Sequence, residues 1–284
     1  MSVARHGSGG VANVRALLSQ VHPVFMLPPL ATSVFGGVLA GAVDATLAAV
    51  HVAALFFAVY TAHVKDGYVD FYVRDEDDDH PLTSAGCRGA LAGATACFLA
   101  ALAVLWVEVG VGAVLLTGPA WLLGYFHAPQ LDTSVLGATG GYPTGIALAL
   151  LGGQYVQAGT LTPTSLGLAG VFLAFLAGIK VIDDAQDYDY DRSIGKRTVA
   201  VVVGPEWAGR VAYALMAAGM VAVVGMAVGL DGVPPGAVGA PVVFGVVALL
   251  ARRAGPELAT MLLIRGSYLF LAVLVTTVWF RPLG

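Results

Sequence analysis

Residues Thr164–Ile182, TSLGLAGVFLAFLAGIKVI, run directly into Asp183-Asp184-Ala185-Gln186-Asp187-Tyr188-Asp189-Tyr190-Asp191. An apolar stretch of this length spans a bilayer as a helix. Carboxylates gathered at its end are expensive beside hydrocarbon unless they bind a cation or mark a site. The same arrangement occurs upstream, where an apolar run ends in Lys65-Asp66-Gly67-Tyr68-Val69-Asp70 and then Asp75-Glu76-Asp77-Asp78-Asp79. These two segments hold twelve of the 18 Asp and Glu residues in the chain.

The rest of the sequence supports a polytopic membrane protein. It is 58% hydrophobic and only 11% charged, with a mean hydropathy of +0.82; a soluble domain carries about 25% charged residues. Apolar runs recur at about 24–43, 46–65, 88–107, 109–126, 136–157, 164–182, 207–229, 236–252 and 258–280. Pro234-Pro235 and Gly255-Pro256 separate the last three. The expected fold is all-α: about nine transmembrane helices in a bundle around a central cavity. Residues 1–284 form one membrane domain with a polar N-terminal segment at 1–20. That segment has no apolar core of the kind a cleavable signal peptide needs. No basic patch with interleaved aromatics points to nucleic acid.

Charge asymmetry orients the bundle. With the N-terminus in the cytoplasm, cytoplasmic segments hold Arg5, Arg15, Arg74, Arg88, Arg192, Lys196, Arg197, Arg252 and Arg253. External loops then hold only acids, Asp44, Glu108 and Asp231, and Arg281 alone breaks the pattern. This positive-inside distribution predicts a multi-pass protein of the cell membrane with both acidic segments on the cytoplasmic side. The segments occupy equivalent positions, four helices apart, and so suggest two related halves facing one cavity.

Asp66 and Asp70 share a helix face, as do Asp184 and Asp187, and Asp187 and Asp191, if the helix is continuous. Like charges at these spacings repel, and a divalent cation reverses the sign. Mg²⁺ suits carboxylate oxygens and commonly bridges to phosphates. Lys180, Arg192, Lys196 and Arg197 interleave with the aspartates, as expected for a phosphate held partly through metal and partly directly. A diphosphate at the lipid edge implies a lipid tail in the apolar interior.

The stretch Asp184-Ala-Gln-Asp187-Tyr-Asp-Tyr-Asp191-Arg192-Ser-Ile-Gly195-Lys196-Arg197-Thr198 resembles the second aspartate motif of the UbiA family of intramembrane prenyltransferases, DxxDxxxD followed by Arg and G-K-R-T. Lys180 matches the lysine that often precedes it. Asp66-xxx-Asp70 and His80-Pro81-Leu82-Thr83 resemble the first motif, NxxxDxxxD with its following Pro-Leu segment. Two alignments are open. Asp66 and Asp70 as the two aspartates put Ala62 at the Asn position. If Asp66 replaces the Asn, Asp70 and Asp75 are the aspartates, with one residue inserted. Helical spacing favours the first. Two further segments depart from the pattern: Tyr125-Phe126-His127-Ala128-Pro129-Gln130 lacks the usual basic end, and His22-Pro23 stands where Arg-Pro is common.

The resemblance implies Mg²⁺-dependent transfer of a prenyl group from an isoprenoid diphosphate to a lipophilic acceptor, with release of pyrophosphate. The acceptor classes it offers are a quinone precursor, a prenylglyceryl phosphate, a carotenoid and a porphyrin. It assigns catalytic roles to Asp66, Asp70, Asp187 and Asp191, metal binding to Asp66, Asp70, Asp184, Asp187 and Asp191, and substrate binding to Lys180, Arg192, Lys196 and Arg197. A divalent-cation transporter and a non-catalytic lipid-binding member of the family are the alternatives. A transport path needs polar residues through the membrane, and the acids here lie at one edge.

Other residues have simpler readings. Asp75–Asp79 is a solvated acidic loop, and Asp183 and Asp189 lie off the Asp184 face. His22, His63 and His127 are interfacial polar residues, with histidine the natural base if a proton must be removed. Arg265 either faces the site or snorkels. Gln154 and Tyr155 either line the cavity or bond between helices. Cys87 and Cys97 are small buried or interfacial side chains.

Overall fold

The computed structural model describes residues 2–230 and 232–280. Asp231 and Arg281, which entered the charge distribution, lie outside the described residues. The helices are α1 (Gly9–Leu18), α2 (Pro23–Leu39), α3 (Ala45–Tyr72), α4 (Ser84–Glu108), α5 (Val111–Tyr125), α6 (Val135–Ala158), α7 (Pro163–Asp184), α8 (Tyr188–Ser193), α9 (Val199–Val203), α10 (Pro205–Gly229), α11 (Gly239–Ala251) and α12 (Pro256–Phe280). Among the described residues there is no β-strand, only an isolated antiparallel bridge between Ala4 and Leu82.

All nine apolar runs fold as helices. Six of them, α3, α4, α6, α7, α10 and α12, are each long and apolar enough to cross a membrane. The α1–α2 pair meets the same test jointly but bends by 65°, which brings the number to seven; Val111–Tyr125 and Pro235–Ala251 are apolar but shorter. The expected nine full-length spans are therefore six or seven plus shorter helices. The polar N-terminal segment 1–20 contains a short helix. Its residues 9–18 form α1, whose Ala16 is buried in a cluster with Val64, Leu82 and Cys87.

Helix starts follow local chemistry. The Asp44 carboxylate accepts the N–H groups of Thr46 at 2.8 Å and Leu47 at 2.9 Å, opening α3. Thr83, Ser134 and Thr162 cap α4, α6 and α7 in the same way. Close helix contact depends on glycine at two places. A Cβ on Gly36 of α2 would strike the Leu150 carbonyl, and one on Gly153 of α6 would strike the Ser33 carbonyl. Small residues let such backbones approach.

Pro28 and Pro29 lie inside α2. Neither has an N–H, so the carbonyls one turn earlier, Val24 and Phe25, lose their helical donors. Two tyrosines from other helices replace them. Tyr268 of α12 donates its hydroxyl to the Val24 carbonyl, and Tyr142 of α6 donates to the Phe25 carbonyl at 3.2 Å. An unpaired carbonyl in a lipid-surrounded bundle costs several kcal/mol. The proline pair thus fixes where α2, α6 and α12 meet, and that meeting point forms a wall of the cavity described next.

Candidate active site

A cavity of about 410 Å³ opens between the helices. Apolar side chains from α2, α3, α5, α6, α7 and α12 form most of its wall, including Leu55, Leu123, Ile146, Leu176 and Ile264. At its polar end stand Asp66 from the last turns of α3 and Lys180 and Asp183 from the last turns of α7. The two acidic segments, more than a hundred residues apart in sequence, therefore meet at one chamber.

The first segment behaves as expected along α3. Asp66 and Asp70 lie one turn apart on an unbroken helix, both partly buried. The Asp70 carboxylate is 3.5 Å from the Arg74 guanidinium. It also sits within the field of Asp66 and Glu76 from its own segment and of Lys196 from the other. Asp75, with φ of 55°, turns the chain beyond α3, and Asp75–Asp79 are exposed, in keeping with a solvated loop.

The second segment is not one continuous helix. α7 stops at Asp184, and Ala185-Gln186-Asp187 form a turn before α8. Asp184 and Asp187 are therefore not on one helix face. Asp187 and Asp191 remain one turn apart, because the Asp191 N–H donates to the Asp187 carbonyl at 2.7 Å. Gln186 holds the turn against α12 by donating to Thr260 Oγ1.

Each predicted residue has a defined place. Lys180 pairs with Asp184 at 2.6 Å and with Asp183 at 3.0 Å. Asp184 is 6% exposed, and its Oδ2 has no hydrogen-bond partner. Asp191 is buried and lies 3.5 Å from Lys196. Burial raises the Asp191 carboxyl above the usual range, with the Lys196 ammonium opposing that rise. Asp187, Arg192 and Arg197 are exposed; like Asp70, Asp184, Asp191 and Lys196, they are not among the residues that line the cavity wall. Tyr190 faces the Glu76 carboxylate across the two segments; desolvation first, then that carboxylate, pushes its phenol up to about 12.

Several contributors have a place in the structure that the sequence does not assign. Asp183, which reads as off the active face, lines the cavity and shares Lys180 with Asp184. Asp132, in the turn after α5, joins the segments. Its carboxylate is 2.5 Å from Arg74, and its carbonyl accepts the Arg197 N–H at 3.2 Å. Lys65 sits over the Tyr125 ring at 5.5 Å. His22, His63 and His127 converge on the cavity wall. The only legible hints were the charge of Asp132 in an otherwise apolar stretch and three histidines each near a span end.

Other candidates fall away from the chamber. Arg265 is exposed on α12, which fits snorkelling rather than a site role. Gln154 donates to Thr162 Oγ1 at 3.1 Å, a bond between α6 and the start of α7. Cys87 is buried beside His80, and Cys97 is exposed.

The donor chemistry at the polar end suits a hard divalent cation: carboxylate oxygens dominate, and Asp184 Oδ2 is buried without a partner. Among the described residues, no three His, Cys, Asp or Glu side chains already converge on a point able to hold a metal. Asp66 and Asp183, one from each acidic segment, line the same cavity, and bound phosphate oxygens would complete the coordination of a cation held there.

No family model matches the sequence, and no curated protein matches it. Solved structures do match in fold. A UbiA homologue from Aeropyrum pernix K1 aligns with a TM-score of 0.71 at 15% identity, covering 90% of this chain and 98% of that one. A digeranylgeranylglyceryl phosphate synthase aligns with a TM-score of 0.74 at 14% identity, over 94% of this chain and 99% of that one. A UbiA homologue from Archaeoglobus fulgidus, bound to DMAPP and Mg²⁺, aligns with a TM-score of 0.64 at 16% identity, over 94% and 99%. The chain shares the fold of these UbiA homologues over nearly its whole length.

Proposed function

We propose that this protein transfers a prenyl group from an isoprenoid diphosphate to a lipophilic acceptor and releases pyrophosphate, with Mg²⁺ as its metal. One observation carries the reading: Asp66 from one acidic segment and Lys180 and Asp183 from the other stand in the wall of a single, mostly apolar cavity. The DMAPP and Mg²⁺ bound by a homologue of the same fold support it.

Asp66, Asp70, Asp184, Asp187 and Asp191 would hold the metal, which when bound offsets charge on the departing pyrophosphate. Lys180, Lys196 and Arg197 would take phosphate oxygens directly, with Arg192 exposed nearby. The apolar wall receives the isoprenoid tail and excludes water from the allylic cation formed as the C–O bond breaks. Tyr142 and Tyr268, whose hydroxyls are spent on α2 carbonyls, present their rings to that wall. The positive-inside pattern supports a cell-membrane protein with the polar end of the cavity facing the cytoplasm.

The test is incubation of purified protein with labelled geranylgeranyl diphosphate, Mg²⁺ and a panel of lipophilic acceptors. Metal-dependent pyrophosphate release that vanishes in Asp187→Ala is the expected result. Metal flux into vesicles without prenyl turnover would replace this reading with a transporter.

A further inference from the structure

Resting on the prenyl-transfer reading, we propose that His22, His63 and His127 form the acceptor's head-group site, and that the acceptor is a neutral alcohol or phenol whose proton passes to His63. The three residues come from separate elements: His22 just before α2, His63 within α3, and His127 just after α5. All three line the cavity, beside Asp66. The His22 and His63 rings stack at 4.7 Å with 23° between their planes, and Phe25 sits 6.1 Å from His63.

His63 Nε2 is buried and has no hydrogen-bond partner. A buried polar atom left unpaired costs about 1–3 kcal/mol, and such an atom in a cavity wall has a ligand as its natural partner. In the tautomer with the proton on Nδ1, Nε2 accepts, so the fitting ligand group is an O–H donor.

Charge selects against an anionic head group. The carboxylates of Asp66 and Asp183 line the cavity, and Lys180, the one Lys or Arg among the described residues that line it, already pairs with Asp183 and Asp184. A diphosphate at this end adds further negative charge. A phosphate- or carboxylate-bearing acceptor would meet repulsion there that a neutral hydroxyl avoids.

The step balances. The allylic C–O bond to the diphosphate breaks and its electron pair leaves with pyrophosphate. A lone pair on the acceptor oxygen forms the new C–O bond to the allylic carbon. The hydroxyl proton moves to His63 Nε2, and the product is a neutral prenyl ether.

The experiment uses full-length protein in nanodiscs with Mg²⁺ and geranylgeranyl diphosphate. The acceptors are a monoalkylglycerol, its phosphate monoester and its dimethyl ether, and an alkylphenol and its methyl ether. Ether formation is expected with the monoalkylglycerol and the alkylphenol, not with the methyl ethers, and more slowly with the phosphate monoester. His63→Gln should lower ether formation about 100-fold or more, the span of general-base assistance, while Mg²⁺-dependent binding of geranylgeranyl thiolodiphosphate persists. His22→Gln, which removes the stacked ring but leaves the proton acceptor, should lose less. Parent-like turnover in His63→Gln, equal loss in both variants, loss of thiolodiphosphate binding in His63→Gln, or preference for the phosphate monoester would each overturn the assignment. Pyrophosphate release by the parent with no ether from either neutral hydroxyl overturns this inference alone. Absence of both thiolodiphosphate binding and pyrophosphate release overturns the prenyl-transfer reading as well.

Discussion

Arg74 and Asp132 form an ion pair at 2.5 Å across 58 residues of sequence, with both side chains largely buried. The same Arg74 reaches Asp70 at 3.5 Å, and the Asp132 backbone carbonyl accepts the Arg197 N–H. One loop thereby ties the first acidic segment to the second. Removing Arg74 strands the buried Asp132 carboxylate, at about 3–5 kcal/mol, while removing Asp132 leaves Arg74 with Asp70 alone and costs less. Asp132→Ala and Arg74→Ala should each lower thermal stability in detergent. The double variant should lose clearly less than the sum, because neither charge is then stranded. Additive losses would show that the pair does not act as a unit.

The tyrosine–proline pairing on α2 gives a second test. Tyr268→Phe should destabilise by about 1–3 kcal/mol by stranding the Val24 carbonyl. In a Pro28→Ala background, the restored N–H can pair with that carbonyl, so the same Tyr268→Phe change should have a smaller effect. A melting-temperature cycle of the four proteins decides this; an unchanged Tyr268→Phe effect in the alanine background would contradict the pairing.

Gly36 and Gly153 set the approach of α2 to α6. Alanine at either places a methyl group against a rigid backbone carbonyl rather than a movable side chain. Each substitution should lower stability by about 1–3 kcal/mol, the usual range for overpacking. Gly89 and Gly93 of α4 have no atom within 4 Å of an added Cβ, so alanine there should be tolerated in the same melting assay.

Lys180 shares its ammonium between Asp183 and Asp184 at the cavity edge. Lys180→Gln should weaken diphosphate binding by removing a direct cation and by leaving two carboxylates to repel phosphate. Asp183→Asn, which leaves Lys180 to Asp184 alone, should alter binding far less. Competition against labelled geranylgeranyl thiolodiphosphate measures both; equal losses would place Asp183 among the essential groups.

The architecture was readable because lipid leaves few options: each apolar run of bilayer length had to be helical, and all nine are. Lipid does not dictate where a helix stops within a polar segment. α3 continues to Tyr72, past the expected end at 65, carrying Asp66 and Asp70 on a rigid helix. α7 breaks at Asp184, although the aspartate spacing fits a continuous helix. α1 escaped notice because a ten-residue helix has no apolar run of bilayer length. Asp66 and Lys180 stood out through local charge patterning. Asp132 did not, because its role arises from a tertiary meeting between distant residues; the three histidines were legible as span-end residues and a candidate base, but not their convergence on one wall. Pro28-Pro29 was the one unread local clue: it strands two carbonyls and so demands hydroxyl donors from elsewhere.

The central claim is that the two acidic rims hold one and the same ligand. Equilibrium binding of geranylgeranyl thiolodiphosphate, titrated with Mg²⁺, tests it in the parent, Asp70→Asn and Asp187→Asn. The account predicts one metal-dependent site per chain, lost or severely weakened by either substitution. Two independent sites, each removed by only one of them, would contradict it.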